Sequence, residues 1–153
     1  VAKTDAAHTS LSRQLAAHEV SRKYHALARF IIKDDSGIID APIGRHPIHR
    51  KRMTVTSKGK PAVTRYTVLG RYDEGRDAYT HVEARLETGR THQIRVHMTH
   101  IGHPLLGDPV YGNGADKRFP NGQALHAKAI GFTHPGTGEY MELETELPEY
   151  FKM

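Results

Sequence analysis

The chain has 153 residues and a mass of 17.1 kDa, the size of one ordinary domain that buries roughly two-thirds of the surface its unfolded form would expose. Its 22 Lys and Arg against 17 Asp and Glu leave a net charge of +5, and a pI near 9.5 favours polyanionic partners. The absence of cysteine excludes disulfides, iron–sulfur clusters and thiolate zinc sites and fits a cytoplasmic location, while apolar runs of only a few residues exclude a membrane-spanning helix or a signal-peptide core.

The opening Val1-Ala2-Lys3-Thr4, without an initiator methionine, reads as the end of a strand already in progress, so further sequence upstream is expected. From Asp5 to Val20, Ala6, Ala7, Leu11, Leu15 and Ala16 recur at helical spacing and predict a surface helix. Lys23 to Ile32 alternates with Tyr24, Ala26, Ala28, Phe30 and Ile32 on one side, as in a strand. A turn at Asp34-Asp35-Ser36-Gly37 precedes a short strand over Ile38 to Ile43 and then a basic loop, Gly44 to Arg52. Pro61 to Arg71, rich in Val, Thr and Tyr, and Tyr79 to Glu87 are expected to form a hairpin around Asp73-Glu74-Gly75-Arg76-Asp77. The second of these strands should bury Thr80, Val82, Ala84 and Leu86 on one side.

Gly89 breaks that pattern, and Thr91 is placed to cap a short helix carrying Ile94, Met98 and Ile101, closed by Gly102 in the left-handed conformation. Arg90 at its mouth and Arg95 one turn in would converge on a phosphate or carboxylate. A Gly/Pro-rich excursion covers Pro104 to Gly122, and Ala124 to Phe132 with Tyr140 to Glu144 forms a last strand pair. The whole chain reads as a single α+β domain, a mixed and mostly antiparallel sheet flanked by helices.

Metal chemistry is disfavoured. His92 and His97 lie five positions apart on the predicted helix, so their side chains diverge by roughly 140°, and neither they nor His100 form an HExxH pattern. The carboxylates scatter among turns and the tail, with Asp40 and Asp108 isolated beside proline-containing turns that aspartate commonly shapes. GxSxG is absent, and no glycine-rich phosphate loop follows a strand, which argues against a nucleotide cofactor. The positive charge is concentrated instead: Arg45, His46, His49, Arg50, Lys51 and Arg52 lie within nine residues, with Lys58, Lys60 and Arg65 nearby. Tyr24 has two readings, a core tyrosine by its parity with Phe30 and Ile32, or an aromatic that stacks a base beside Arg22 and Lys23.

Glu87-Thr88-Gly89-Arg90-Thr91-His92-Gln93-Ile94-Arg95-Val96-His97, then Gly102 to Gly112 with its Gly107-Asp108-Pro109-Val110-Tyr111-Gly112, and Ala124-Leu125-His126-Ala127 together closely resemble the pseudouridine synthases of the RluA/RluD type. Arg22-Lys23-Tyr24-His25-Ala26-Leu27 resembles the family's tyrosine motif, and Arg45-His46-Pro47 with Gly59-Lys60-Pro61-Ala62 looks most like the RluD branch, which modifies large-subunit ribosomal RNA. The resemblance implies isomerisation of uridine in RNA by base flipping, without metal or organic cofactor. It implies that Tyr24 packs on the flipped base and assists proton removal, that Arg95 pairs with a catalytic aspartate, and that Leu125 lines the uracil pocket. Arg90 and His92 would support the site or touch backbone phosphate, and Arg45, His46, Arg50, Lys51, Arg52 and Lys60 would contact RNA.

The family's nucleophilic aspartate belongs to an Arg-Leu-Asp motif that would directly precede Val1, and the 153 residues contain no such segment. Arg85-Leu86 is followed by Glu87 and belongs to the arginine motif. The expectation is therefore a C-terminal portion of a catalytic domain, inactive alone, in which Arg95 lacks its carboxylate and the pocket around it hydrates, takes up an anion or loosens. The competing expectation is a non-catalytic RNA-binding module.

Overall fold

The computed structural model describes residues 2–17, 19–73, 77–112, 114 and 116–152. Helix α1 (Asp5–Ala16) is followed by strands β1 (Ser21–Arg29), β2 (Ser36–Asp40), β3 (Ile43–Arg45), β4 (Met53–Val55), β5 (Val63–Tyr72) and β6 (Tyr79–Leu86). Helix α2 (Gln93–His100), strands β7 (Leu125–Thr133) and β8 (Tyr140–Glu144) and a 3-10 turn (Glu149–Lys152) complete it. Six strands form one sheet in the order β2-β5-β6-β1-β7-β8, and β3 and β4 make a separate ribbon. The expected α+β class holds, and among the described residues every strand pairing is antiparallel.

The centre of the sheet is covered on both sides, which explains why His25, Ala26, Leu27 and Ala28 are all buried where simple alternation would expose every second one. Ala26, Ala28, Val82 and Ala84 form one face, and their small volumes let Ile94 and Met98 of α2 settle directly on the sheet. Leu27 and Tyr79 form the other, beneath Leu106, Phe119 and Phe151 of the loop and tail segments. The hairpin of β5 and β6 pairs Thr64 with Leu86 through Tyr72 with Tyr79, and residues 74–76 of its expected turn lie outside the described residues.

Several local expectations are revised. Ala2 and Lys3 belong to no strand, and Thr4 instead caps α1, its Oγ1 accepting the Ala7 N–H at 3.0 Å. The helix stops at Ala16, four residues short of the expected Val20. Its buried Gln14 pairs with Thr133 as a strand would, donating to its carbonyl and accepting its N–H, both at 2.8 Å. The strand expected over Ile38 to Ile43 is two, β2 and β3, because Pro42 offers no N–H to a ladder and the chain turns there. Phe30 leaves the core-facing row altogether: β1 ends at Arg29, Phe30 has φ 66° and its side chain is half exposed.

Thr91 does not cap α2. That position is His92, itself left-handed at φ 55° and without a side-chain cap, while Gln93 Oε1 accepts the N–H of Arg90, two residues ahead of it, at 2.9 Å. At the other end Gly102, at φ 88°, lets the His103 N–H reach the Met98 carbonyl at 2.8 Å, the closure expected of a glycine there.

Candidate active site

Tyr24 and Leu125 come together on the α2 side of the sheet. Leu125 pairs with Ala26 and Tyr24 with Ala127 across β1 and β7, and both side chains are half-buried against the cluster that contains Ile94 and Met98. A bulge between Lys23 and Tyr24 re-aims the strand at this point, the kind of irregularity that positions a side chain beside a site. The core reading of Tyr24 is realised in part, a ring packed against the cluster with one part left accessible.

Arg95 is where the sequence reading needs correction. It lies 8% exposed and is not alone: Nε and Nη2 donate to Oδ2 and Oδ1 of Asp108 at 2.8 and 2.9 Å. Asp108 is almost fully buried, and its Oδ1 also accepts the N–H groups of Val110 (2.9 Å) and Tyr111 (3.0 Å). Burial alone would raise this carboxyl's pKa, yet the guanidinium and the two backbone donors outweigh it and hold the group below the usual carboxylate range. Asp108 is both the turn-former the sequence suggested and the counter-ion it did not. An Arg–Asp contact thirteen residues apart, joined by a loop, carries no periodicity to betray it.

The pair anchors a wider arrangement. The Arg95 guanidinium lies 5.0 Å from the centre of the Tyr111 ring. The Tyr111 hydroxyl accepts the Met53 N–H at 2.9 Å and lies 2.9 Å from Nδ1 of His92. Burial and Arg95 lower the His92 pKa, with Asp108 opposing. His92 is therefore a structural tie between α2 and the β3–β4 ribbon. His97 is another: fully buried, it meets the Thr64 hydroxyl and the Ala41 carbonyl, each at 2.8 Å. His100 is exposed, so the three histidines face three different surroundings.

Arg90 and Arg95 do not converge as expected, because Arg90 turns away to donate through Nε to the Pro61 carbonyl at 2.8 Å. It meets different company: Arg45, Lys58, Lys60 and Arg90 line one groove of about 440 Å³ between the β3–β4 ribbon and the entrance to α2, and none of its described lining residues is acidic. Arg50, Lys51 and Arg52 are exposed on the adjoining loop. His46 supports that loop from within, its Nδ1 accepting the N–H groups of Ile48 (3.2 Å) and His49 (3.0 Å). Arg22, which the sequence reading left unassigned, has a buried Nε without a hydrogen-bond partner among the described residues, and its guanidinium presses so closely on Gly89 that a β-carbon there would come within 2.3 Å of Nη1.

A buried Arg–Asp pair, a partly accessible tyrosine over an apolar floor and a cationic groove with no acid among its described lining residues lie together on this domain. Comparison with known proteins gives its family. Residues 1–100 match the family model described as RNA pseudouridylate synthase. The chain is 56% identical over 149 residues to an uncharacterized RNA pseudouridine synthase, YlyB, of Bacillus subtilis, covering 97% of this chain and 48% of that protein. It is 49% identical over 164 residues to the ribosomal large subunit pseudouridine synthase D of Pseudomonas aeruginosa, covering 99% and 49%. The structure of human RNA pseudouridylate synthase domain containing 1 superposes with a TM-score of 0.81 at 33% identity, over 97% of this chain and 63% of that one. The chain belongs to the RNA pseudouridylate synthase family. It spans about half the length of these curated relatives.

Proposed function

We propose that this chain is part of an enzyme that isomerises uridine to pseudouridine within large-subunit ribosomal RNA, by base flipping and without a metal or organic cofactor. The observation that carries the reading is the acid-free groove of Arg45, Lys58, Lys60 and Arg90 opening at one end of α2, whose buried face supports Tyr24 and Leu125. The similarity to a ribosomal large subunit pseudouridine synthase D supports the choice of RNA.

In this reading the cations hold the phosphates while one uridine leaves its stack, at a cost of a few kcal/mol that stacking on Tyr24 offsets. Leu125 lines the uracil side of the pocket. The C1′–N1 bond breaks, the base turns, C5 bonds to C1′, and the proton displaced from C5 leaves with help from Tyr24 while N1 gains one. The nucleophilic carboxylate comes from outside the 153 residues. Asp108 is unsuited to that role, because both its oxygens are occupied by Arg95 and two backbone N–H groups. Arg95 spends Nε and one Nη2 proton on Asp108, so its Nη1 edge keeps donors for a second carboxylate.

The test pairs two measurements on large-subunit ribosomal RNA, affinity and pseudouridine formation. The 153-residue chain is expected to bind without turnover, and a longer chain that includes an Arg-Leu-Asp segment to bind and turn over. Turnover by the 153 residues alone would overturn the assignment of the nucleophile. Binding without turnover by both would favour the RNA-binding module.

A further inference from the structure

Phe30 sits in a conformation that its own chemistry opposes. A φ of 66° places an L-residue's β-carbon against its carbonyl, a strain that glycine escapes. Burial does not offset it, since the ring is 50% exposed. The backbone is nonetheless clamped: the Phe30 N–H donates to the Ala78 carbonyl (2.8 Å), and the fully buried Thr80 donates Oγ1 to the Phe30 carbonyl (2.8 Å) while accepting the Ile32 N–H (3.0 Å).

Beside the ring stands a cation. The Arg29 guanidinium lies 5.5 Å from the centre of the Phe30 ring, and its buried Nε has no hydrogen-bond partner among the described residues. The nearby carboxylate, Asp116, is engaged by Arg118 at 2.8 Å. The position is also set apart from the cationic groove. That groove opens at the start of α2, whereas Arg29 is tied to the segment leaving its other end, its carbonyl facing Nδ1 of His103 at 2.9 Å. Eight helical residues, about 12 Å, separate the two ends.

We infer that Phe30 and Arg29 form a second nucleotide subsite, in which Phe30 stacks an unpaired base of the RNA and Arg29 meets its phosphate, beyond the nucleotide that reacts. This rests on the RNA reading above and extends it. Every base has a face to stack, so the subsite takes single-stranded RNA with little sequence preference and leaves duplex RNA unaffected.

The test is fluorescence anisotropy with a labelled single-stranded uridine-rich RNA and a duplex control, on the wild-type chain, Phe30→Gly, Phe30→Leu and Arg29→Gln. Phe30→Gly removes the ring and the strain together, so its Tm should be unchanged or higher while single-strand affinity falls about 5- to 100-fold. Phe30→Leu keeps the apolar bulk without the ring and should lose affinity similarly, and it decides the question if the glycine variant unfolds. Arg29→Gln should weaken the same RNA, with duplex binding constant throughout. Wild-type affinity retained in both Phe30 variants would overturn the subsite and leave the RNA reading standing. A wild-type chain that binds no RNA would overturn both.

Discussion

Asp108→Asn is the perturbation that tests the centre of the site most sharply. The replacement keeps an acceptor for the Val110 and Tyr111 N–H groups but turns an amide NH₂ toward a guanidinium that can only donate, so Arg95 stays charged, 8% exposed and without its counter-ion. Removing one partner of a buried pair costs about 3–5 kcal/mol, mostly the penalty of the stranded charge. In a chain of this size each kcal/mol shifts Tm by about 2–4 °C, so thermal unfolding followed by circular dichroism at pH 7 should show a drop of about 6–20 °C. The pH dependence fixes the cause. Because the folded pKa of Asp108 lies below its ordinary value, the pair's contribution is present above the ordinary carboxylate pKa and is lost as pH falls through the lower folded value. The gap between wild type and variant should therefore be constant from pH 5 to 8, as estimated from the reference carboxylate pKa of about 4, and narrow below it. A loss under about 1 kcal/mol at pH 7 would show that the pair is solvated and refute the reasoning.

Other consequences lie elsewhere in the fold. His25 Nδ1 and His81 Nε2 are 3.0 Å apart, and burial together with His25 lowers the His81 pKa to about 4. The folded chain favours a neutral His81, so its contribution to stability is full above the unfolded value near 6.5 and falls by about 3 kcal/mol as pH drops toward 4; His81→Gln should flatten the wild-type Tm profile over that window, and an identical slope in both proteins would remove His81 as the source. Lys60→Gln, in the cationic groove, should lower the salt dependence of RNA affinity by about one counterion without changing Tm, measured as the slope of log K against log salt. An unaltered slope would place the RNA elsewhere.

Much of the fold was legible because period-two rows and turn residues need no tertiary information: β5, β6, β7 and β8 fall close to the segments their patterns predict. Gly102 was readable because a glycine after a periodic helix has one common use. The errors have a shared origin, side chains satisfying backbone or charge at a distance. Gln93 fixes the start of α2 to β5 through Val63 and Thr64 while His92, not Thr91, takes the cap position, and Asp108 replaces the missing partner of Arg95 across a loop. Phe30 misled because parity assumes a strand continues, whereas Thr80 holds the chain in a left-handed turn there. The cations were legible as a set but not as a groove, since Arg90 joins Arg45, Lys58 and Lys60 only through the placement of the β3–β4 ribbon beside α2.

The central claim is that Tyr24 serves the isomerisation of uridine and not merely the binding of RNA. It is tested most directly by Tyr24→Phe in the intact protein, with pseudouridine in large-subunit ribosomal RNA and RNA affinity measured side by side. The account predicts that pseudouridine formation collapses while affinity stays within a factor of about two, since the ring remains to stack and only the hydroxyl is gone. Undiminished pseudouridine formation, or an equal loss of both, would contradict it.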